Sequence, residues 1–202
     1  MKIYAVADIH GAQYRLNLVL KNIQHYCPDL VIVCGDITQY GPKDVAKNFL
    51  NQIPTDTLAV IGNIDPSDVN VGIDESKATN INMKRLEKKG ISFVGISAID
   101  EGNVERFFSE NEKILDENCV LVTHAPPYNT QDKIFIGMHG GSKELRNAVD
   151  KYKPRLVLSG HVHEDPGYAK SEETVVVNCS MGKRGSGALI EINDKISVEM
   201  LD

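Results

Sequence analysis

The sequence predicts an α/β chain that turns α+β toward its end, and three observations carry that reading. Five short runs rich in Val and Ile, at residues 3–7, 30–34, 57–61, 119–123 and 155–159, have the length of buried strands. Helical periodicity lies between several of them, and three further strand-like runs follow residue 172. Strand then helix, repeated, builds layers.

The first run leads into a helix in which Leu16, Val19, Leu20 and Ile23 fall at i, i+3, i+4 and i+7, and Pro28 ends it. After the runs at 30–34 and 57–61, residues 66–82 are polar without period. Residues 100–118 are acidic with a short helix around Glu105 to Phe108, so both stretches read as flaps or plain connections. A second helix carries Leu145, Ala148, Val149 and Tyr152 before Pro154. At the end, "TVVVN", "GALIEI" and "KISVEML" read as an antiparallel sheet, the last two joined by a tight hairpin at Asn193-Asp194. No Pro/Gly/Ser-rich linker, internal repeat or low-complexity tract divides the chain, so residues 1–202 are expected to form one domain.

Composition narrows the function classes. With 42% hydrophobic and 25% charged residues the chain is ordinary for a globular protein, and its apolar runs are too short to span a bilayer. "MKIYAVADIH" is too short in apolar residues for a signal-peptide core, so a cytoplasmic protein is expected. Cys27, Cys34, Cys119 and Cys179 are widely separated and fit neither a zinc clip nor a disulfide framework; buried free thiols are expected. A net charge of −6 counts against non-specific nucleic-acid binding, and a phosphate substrate would need positive charge from another source.

The ends of the five runs carry the chemistry. "IYAVADIH" delivers Asp8 and His10, "LVIVCGD" Asp36, "LAVIGN" Asn63, "VLVTH" His124, and "LVLSGHVH" His161 and His163. In an open α/β sheet ligands bind outside the carboxyl ends of the strands, so these seven side chains can converge although scattered in sequence. Singly each is bland: an Asp or Asn after a strand is usually a turn former. His161 and His163, two apart, need a turn at Gly160 to face the same way. Four of the six histidines nevertheless follow strands directly, as a metal site would require. Imidazoles mixed with carboxylates, without thiolate, suit Mn, Fe, Co, Ni or Zn. Seven ligands are too many for one small cation, whereas two ions sharing a carboxylate about 3.5–4 Å apart would use them all.

The ordered set "DIH", "GD", "GN", "TH" and "GHVH" resembles the calcineurin-like metallophosphoesterases over residues 8 to 163. "HAPPYNTQD", "GMHGGS" and "GHVHE" are similar to the small stand-alone branch of that family. The resemblance implies a four-layer αββα sandwich of two mixed β-sheets with flanking helices. It implies one metal on Asp8, His10 and His163, a second on Asn63, His124 and His161, and Asp36 bridging. The ions would be two divalent transition metals (Mn2+, Fe2+, Ni2+, Co2+ or Zn2+). The implied reaction is hydrolysis of a small-molecule phosphoester, most of all a phosphodiester, by a hydroxide bridging the ions, with Asn63 also in a catalytic role.

Two positions depart from the family pattern. Ile64 of "GNID" stands where relatives keep the histidine thought to protonate the leaving group, and "NCSMG" at 178–182 replaces Asn-Pro-Gly. Substitutes for the acid and for substrate contacts are His139 and Ser142 in a glycine-rich turn before a helix, Tyr128, and the pair Lys183 and Arg184. The competing reading is a catalytically weak binding scaffold of the same fold. A scaffold is free to lose ligands, and here all seven stand.

Overall fold

The computed structural model describes residues 1–202 apart from 112, 172, 183 and 184, with residues 101 and 136 described in their backbone only. The suggested phosphate contacts Lys183 and Arg184 therefore lie outside the described residues. The chain runs β1 (Lys2–Val6), α1 (Gln13–Tyr26), β2 (Leu30–Cys34), α2 (Lys43–Gln52), β3 (Thr57–Val60), α3 (Val69–Asp74) and β4 (Thr79–Asn80). It continues through β5 (Arg85–Lys88), β6 (Ile91–Ile96), α4 (Val104–Glu110), β7 (Cys119–Thr123), α5 (Lys143–Tyr152) and β8 (Leu156–Ser159). It closes with β9 (Gly167–Ser171), β10 (Thr174–Asn178), β11 (Ala188–Ile192) and β12 (Ile196–Met200).

Two six-stranded mixed sheets result, in the orders β12-β11-β1-β2-β3-β4 and β5-β6-β7-β8-β10-β9. β1 to β4 pair in parallel in the first sheet, and β6, β7, β8 and β10 in the second. Strands buried on both faces must bury both side-chain sets, and the alternation does so. Ile3, Ala5, Leu30, Ile32, Leu58 and Val60 face Phe93, Val120, Val122, Leu156 and Leu158 between the sheets. Tyr4, Val6, Val31 and Val33 turn the other way onto Leu16, Val19, Phe49 and Leu50 of α1 and α2. Leu121, Val157 and Val176 meet Phe107, Phe108, Leu145 and Val149 of α4 and α5. Three cores separate four layers, helix, sheet, sheet, helix. Each fully buried Leu, Ile or Phe among them contributes about 1.5–3 kcal/mol of burial.

The C-terminal expectation needs correction: the last strands do not form a sheet of their own. β10 inserts into the second sheet, parallel to β8 and antiparallel to β9. The β11–β12 hairpin adds to the first sheet, with β11 antiparallel to β1. Buried β1 would otherwise present an unpaired edge, which β11 covers. α2, β5, β6 and β9 are elements that the sequence reading left unassigned. β5 and β9 lie on edges with alternate residues exposed, and so lack the continuous apolar run of a central strand. Residues 66–82 contain α3 and β4, and 100–118 contain α4 where a short helix was expected. Cys34, Cys119 and Cys179 are buried free thiols, but Cys27 is exposed because it caps α1 in a left-handed conformation. Among the described residues no helix is long and apolar enough to cross a membrane.

Candidate metal centre

The carboxyl ends of β1, β2, β3, β7 and β8 meet at one edge of the sandwich. Loops from neighbouring strands are laced there: Asp8 N–H donates to Gly35 O (3.1 Å), His10 N–H to Asp36 O (2.8 Å), and Ala7 N–H to Cys179 O of the second sheet (3.2 Å). Asp8, His10, Asp36 and His161 all have positive φ, between 51° and 68°. Residues other than glycine avoid that region at a cost of about 1–2 kcal/mol each, so four strained positions in one site mark a site whose side chains must be aimed. His161 forms the apex of a three-residue turn closed by Val162 N–H on Gly160 O (2.8 Å). The turn expected at Gly160 thus lies one residue later. Gly160 is there for space, since a Cβ would lie 2.2 Å from Ala7 Cβ and 2.9 Å from Asp8 Oδ2. Gly62 has the same reason: its Cβ would lie 2.0 Å from Asp36 Oδ1.

The structure brings all seven expected ligands together. In one group His163 Nε2 lies 3.2 Å from both His10 Nε2 and Asp8 Oδ1. In the other, Asn63 Oδ1 lies 2.8 Å from His124 Nε2 and 2.9 Å from His161 Nδ1, and His124 Nε2 lies 3.5 Å from Asp36 Oδ2. Asp8, Asp36 and His124 also cluster, with ligand atoms within 4.8 Å of one another, so the two groups adjoin through Asp8. His124 is oriented by its other nitrogen, Nδ1, on Cys34 O (2.9 Å), and Asp8 Oδ2 accepts from His161 N–H (3.1 Å).

These residues fit metal ions. Asp8 Oδ1 is fully buried and has no hydrogen-bond geometry to any described group, although His163 Nε2 is near. Ligand atoms around one ion with bonds of about 2.0–2.2 Å stand roughly 3.0–3.5 Å apart, and the separations in the two groups run from 2.8 to 3.9 Å, with His10 Nε2 to Asp8 Oδ1 the widest. The electrostatics agree. Burial alone would raise the Asp8 pKa, but the close approach of the His163 imidazole and the positive fields of His124 and His163 hold it at about 2, an ionised carboxylate. Burial opposes charge on His124, yet the bond and charge of Asp36 push its pKa up to about 9, and Asp8 raises His163, so an ion binding there would displace a proton from each. Burial lowers His10 and His161, leaving neutral imidazoles suited to coordination.

Ile64 is half-buried beside this centre, and its contribution comes from the backbone: its N–H donates to Asp36 Oδ1 (3.1 Å). Asp65 is a loop staple, accepting from Ile37 N–H, Thr38 N–H, Thr38 Oγ1–H and Gly62 N–H at 2.7–3.0 Å. His139 is tied through Nδ1 to the buried carboxylate of Asp132 (2.7 Å) and packs on the Tyr128 ring, centroids 5.0 Å apart. Ser142 caps α5, its hydroxyl accepting from Leu145 N–H (3.2 Å). The glycine-rich turn does not leave its N–H groups for an anion, because Gly140, Gly141 and Ser142 donate to Asp132 O, Asp132 Oδ2 and Pro126 O. That turn and Lys143 nevertheless share a cleft of 380 Å³ with His161.

Two positioning residues escaped the sequence reading. Arg15 donates to the carbonyl of strained Asp8 and to Gly182 O (2.9 Å), tying β1 to the loop after β10. Asn178, fully buried, reaches the carbonyls of Gln131, Val162 and Asp165 at 2.8–3.1 Å and so holds the loop between His161 and His163. A buried amide was the available signal for Asn178. An arginine in a first helical turn gives none.

Solved structures with this fold are numerous. A protein of Methanocaldococcus jannaschii of uncharacterized function is 33% identical over 199 residues, 89% of this chain and 88% of its own. A probable glycerophosphodiester phosphodiesterase of Arcobacter nitrofigilis is 27% identical over 180 residues, 79% of this chain and 65% of its own. A solved structure described as a novel archaeal phosphodiesterase superposes with a TM-score of 0.61 at 16% identity, covering 100% of both chains. The family pattern of the calcineurin-like phosphoesterases matches residues 1–165, which hold all seven clustered side chains, and the chain belongs to that family.

Proposed function

We propose that this protein is a dinuclear metal-dependent phosphodiesterase acting on a small-molecule phosphodiester. The observation that carries the reading is the pair of adjoining ligand groups, in which buried Asp8 Oδ1 has no hydrogen-bond geometry of its own. The names of the Arcobacter relative and of the archaeal structure point toward diesters. Asp8, His10 and His163 would hold one ion, and Asn63, His124 and His161 the other, with Asp36 between them. Manganese heads the candidates, with iron, nickel, cobalt and zinc. When bound, such a pair supplies Lewis acidity toward the phosphoryl oxygens and a water acidic enough to serve as nucleophile.

The chain's own residues do the rest. With Asn63 Oδ1 turned to His124 and His161, its amide N–H groups are left to donate to a phosphoryl oxygen. Ile64 has no proton to give. His139, with Nδ1 on Asp132, would present Nε2 to the departing oxygen, and Tyr128 and Ser142 would line that side. Lys143 and Glu144 both line the cleft beside His161.

The test is to strip the protein, reload it with Mn2+, Ni2+ or Zn2+, and compare bis(p-nitrophenyl) phosphate with p-nitrophenyl phosphate. The expected result is two bound ions, faster diester hydrolysis, and an Asp36→Asn variant that folds by circular dichroism but is inactive. One ion or none at saturating metal would overturn the reading.

A further inference from the structure

A second cavity, of 920 Å³, opens from the metal-ligand groups at His163. That volume lies at the upper end of the about 300–1,000 Å³ usual for small-molecule pockets, and a phosphate alone leaves most of it empty. Two aromatic side chains line it, Tyr14 from the first turn of α1 and Phe135 from the loop between β7 and α5. They come from opposite halves of the sandwich. Tyr14 is 64% exposed and Phe135 68%, which leaves large apolar surface in water beside a reactive centre. Tyr14 is held in place: its hydroxyl accepts from Arg15 Nε, and the Arg15 guanidinium lies 5.8 Å from its ring centroid.

The aromatic surface is what marks this cavity. Among the described lining residues Glu164 and Asp202 supply carboxylates, and the Arg15 guanidinium is engaged by the carbonyls of Asp8 and Gly182 and by the Tyr14 hydroxyl. Aromatic faces beside the ligand groups suit a flat group that stacks on them. We infer that this cavity is a subsite for an aromatic substituent of the phosphodiester, held by Tyr14 and Phe135. The inference rests on the phosphodiesterase reading and adds a substrate class to it: diesters bearing an aryl or similarly flat group.

The experiment compares phenyl p-nitrophenyl phosphate with methyl p-nitrophenyl phosphate, which share a leaving group, in the wild type and in Tyr14→Ala and Phe135→Ala. Both positions are exposed, so the variants retain the fold. Wild-type kcat/KM should favour the phenyl ester by about tenfold, the scale of one or two stacked rings, and the ratio should fall toward one in either variant. In parallel, calorimetric titration of the Mn2+-loaded protein with phenylphosphonate and methylphosphonate reads the subsite without turnover. Tighter phenylphosphonate binding that is lost in both variants, with no hydrolysis of either ester, would keep the subsite and remove the phosphodiesterase reading. Equal affinity for the two phosphonates, or binding of neither, would overturn the subsite.

Discussion

Gly62→Ala is a one-atom-group probe of how tightly the centre is built. Gly62 does not have the positive φ that only glycine tolerates well, so the substitution tests space alone. The added Cβ would lie 2.0 Å from Asp36 Oδ1, 2.3 Å from Asp36 N and 2.7 Å from Asp36 Cγ. Carbon contacts settle at about 3.5–4.0 Å, so the Asp36 carboxylate must retreat by roughly 1.5 Å. The retreat breaks its hydrogen bond from Ile64 N–H and moves a ligand atom out of the second group.

Overpacking of this kind costs about 1–3 kcal/mol, and in a chain of this length each kcal/mol lowers Tm by about 2–4 °C. Scanning calorimetry of the metal-free variant should therefore show a loss of roughly 2–12 °C. A ligand displaced by more than 1 Å should lower bis(p-nitrophenyl) phosphate turnover by about 10²-fold. The control is Gly102→Ala, where an added Cβ meets nothing within 4 Å and Tm should stay within the range of a neutral surface change. If Gly62→Ala binds two ions with wild-type affinity and melts with the wild type, Asp36 does not stand where the geometry places it.

Removing Arg15 with Arg15→Ala releases the carbonyls of Asp8 and Gly182. Calorimetric titration should show metal affinity at the Asp8, His10 and His163 group reduced by about 10–100-fold, with the fold intact by circular dichroism. Chelation should lower Tm, and Mn2+ should restore it with a concentration dependence, gaining about 2.7 kcal/mol per site at a hundred times Kd; a Tm indifferent to metal would exclude binding to the folded state. His139→Ala should depress the hydrolysis rate with metal content unchanged, and wild-type kinetics would reduce His139 to a partner of Asp132 and Tyr128. Asn178→Ala strands the buried Val162 carbonyl and frees the part-buried carbonyls of Gln131 and Asp165, and should cost about 1–3 kcal/mol in thermal unfolding.

The clustering of the seven side chains was legible because the fold leaves a sequence signature of it. A ligand at the carboxyl end of a buried strand must follow a Val/Ile run, and Asp8, Asp36, Asn63, His124 and His161 all do. The glycines before Asp36, Asn63 and His161 were visible too, but their reason was not. It lies in how closely Gly62 approaches Asp36 and Gly160 approaches Ala7, contacts between segments far apart in sequence. The fate of "TVVVN" and "GALIEI" was illegible for a related reason. A mostly buried strand carries no mark of which edge it will join, and only the need of β1 and β8 for a second neighbour sends them to different sheets. Asp132 looked like loop composition, yet its carboxylate fixes His139, Asn129 N–H and Gly141 N–H together.

The apolar residue in "GNID" follows from how that loop divides its work. Gly62 makes room for Asp36, Asn63 turns its oxygen to two imidazoles, and Asp65 binds the backbone of Ile37, Thr38 and Gly62. Position 64 contributes N–H to Asp36 and its carbonyl to Tyr40 N–H, both of which any residue but proline supplies. Its side chain makes none of these bonds, so an apolar residue can stand there while the seven side chains stay clustered. Restoring a histidine there would not restore the acid in full. Both Asp65 oxygens are already engaged, so an imidazole at position 64 would lack a carboxylate to orient it and would fall short of the about 10²–10⁴-fold a well-placed acid provides. The His139→Ala kinetics therefore test the other proton source proposed above, the imidazole that the buried Asp132 carboxylate holds on the second sheet's side.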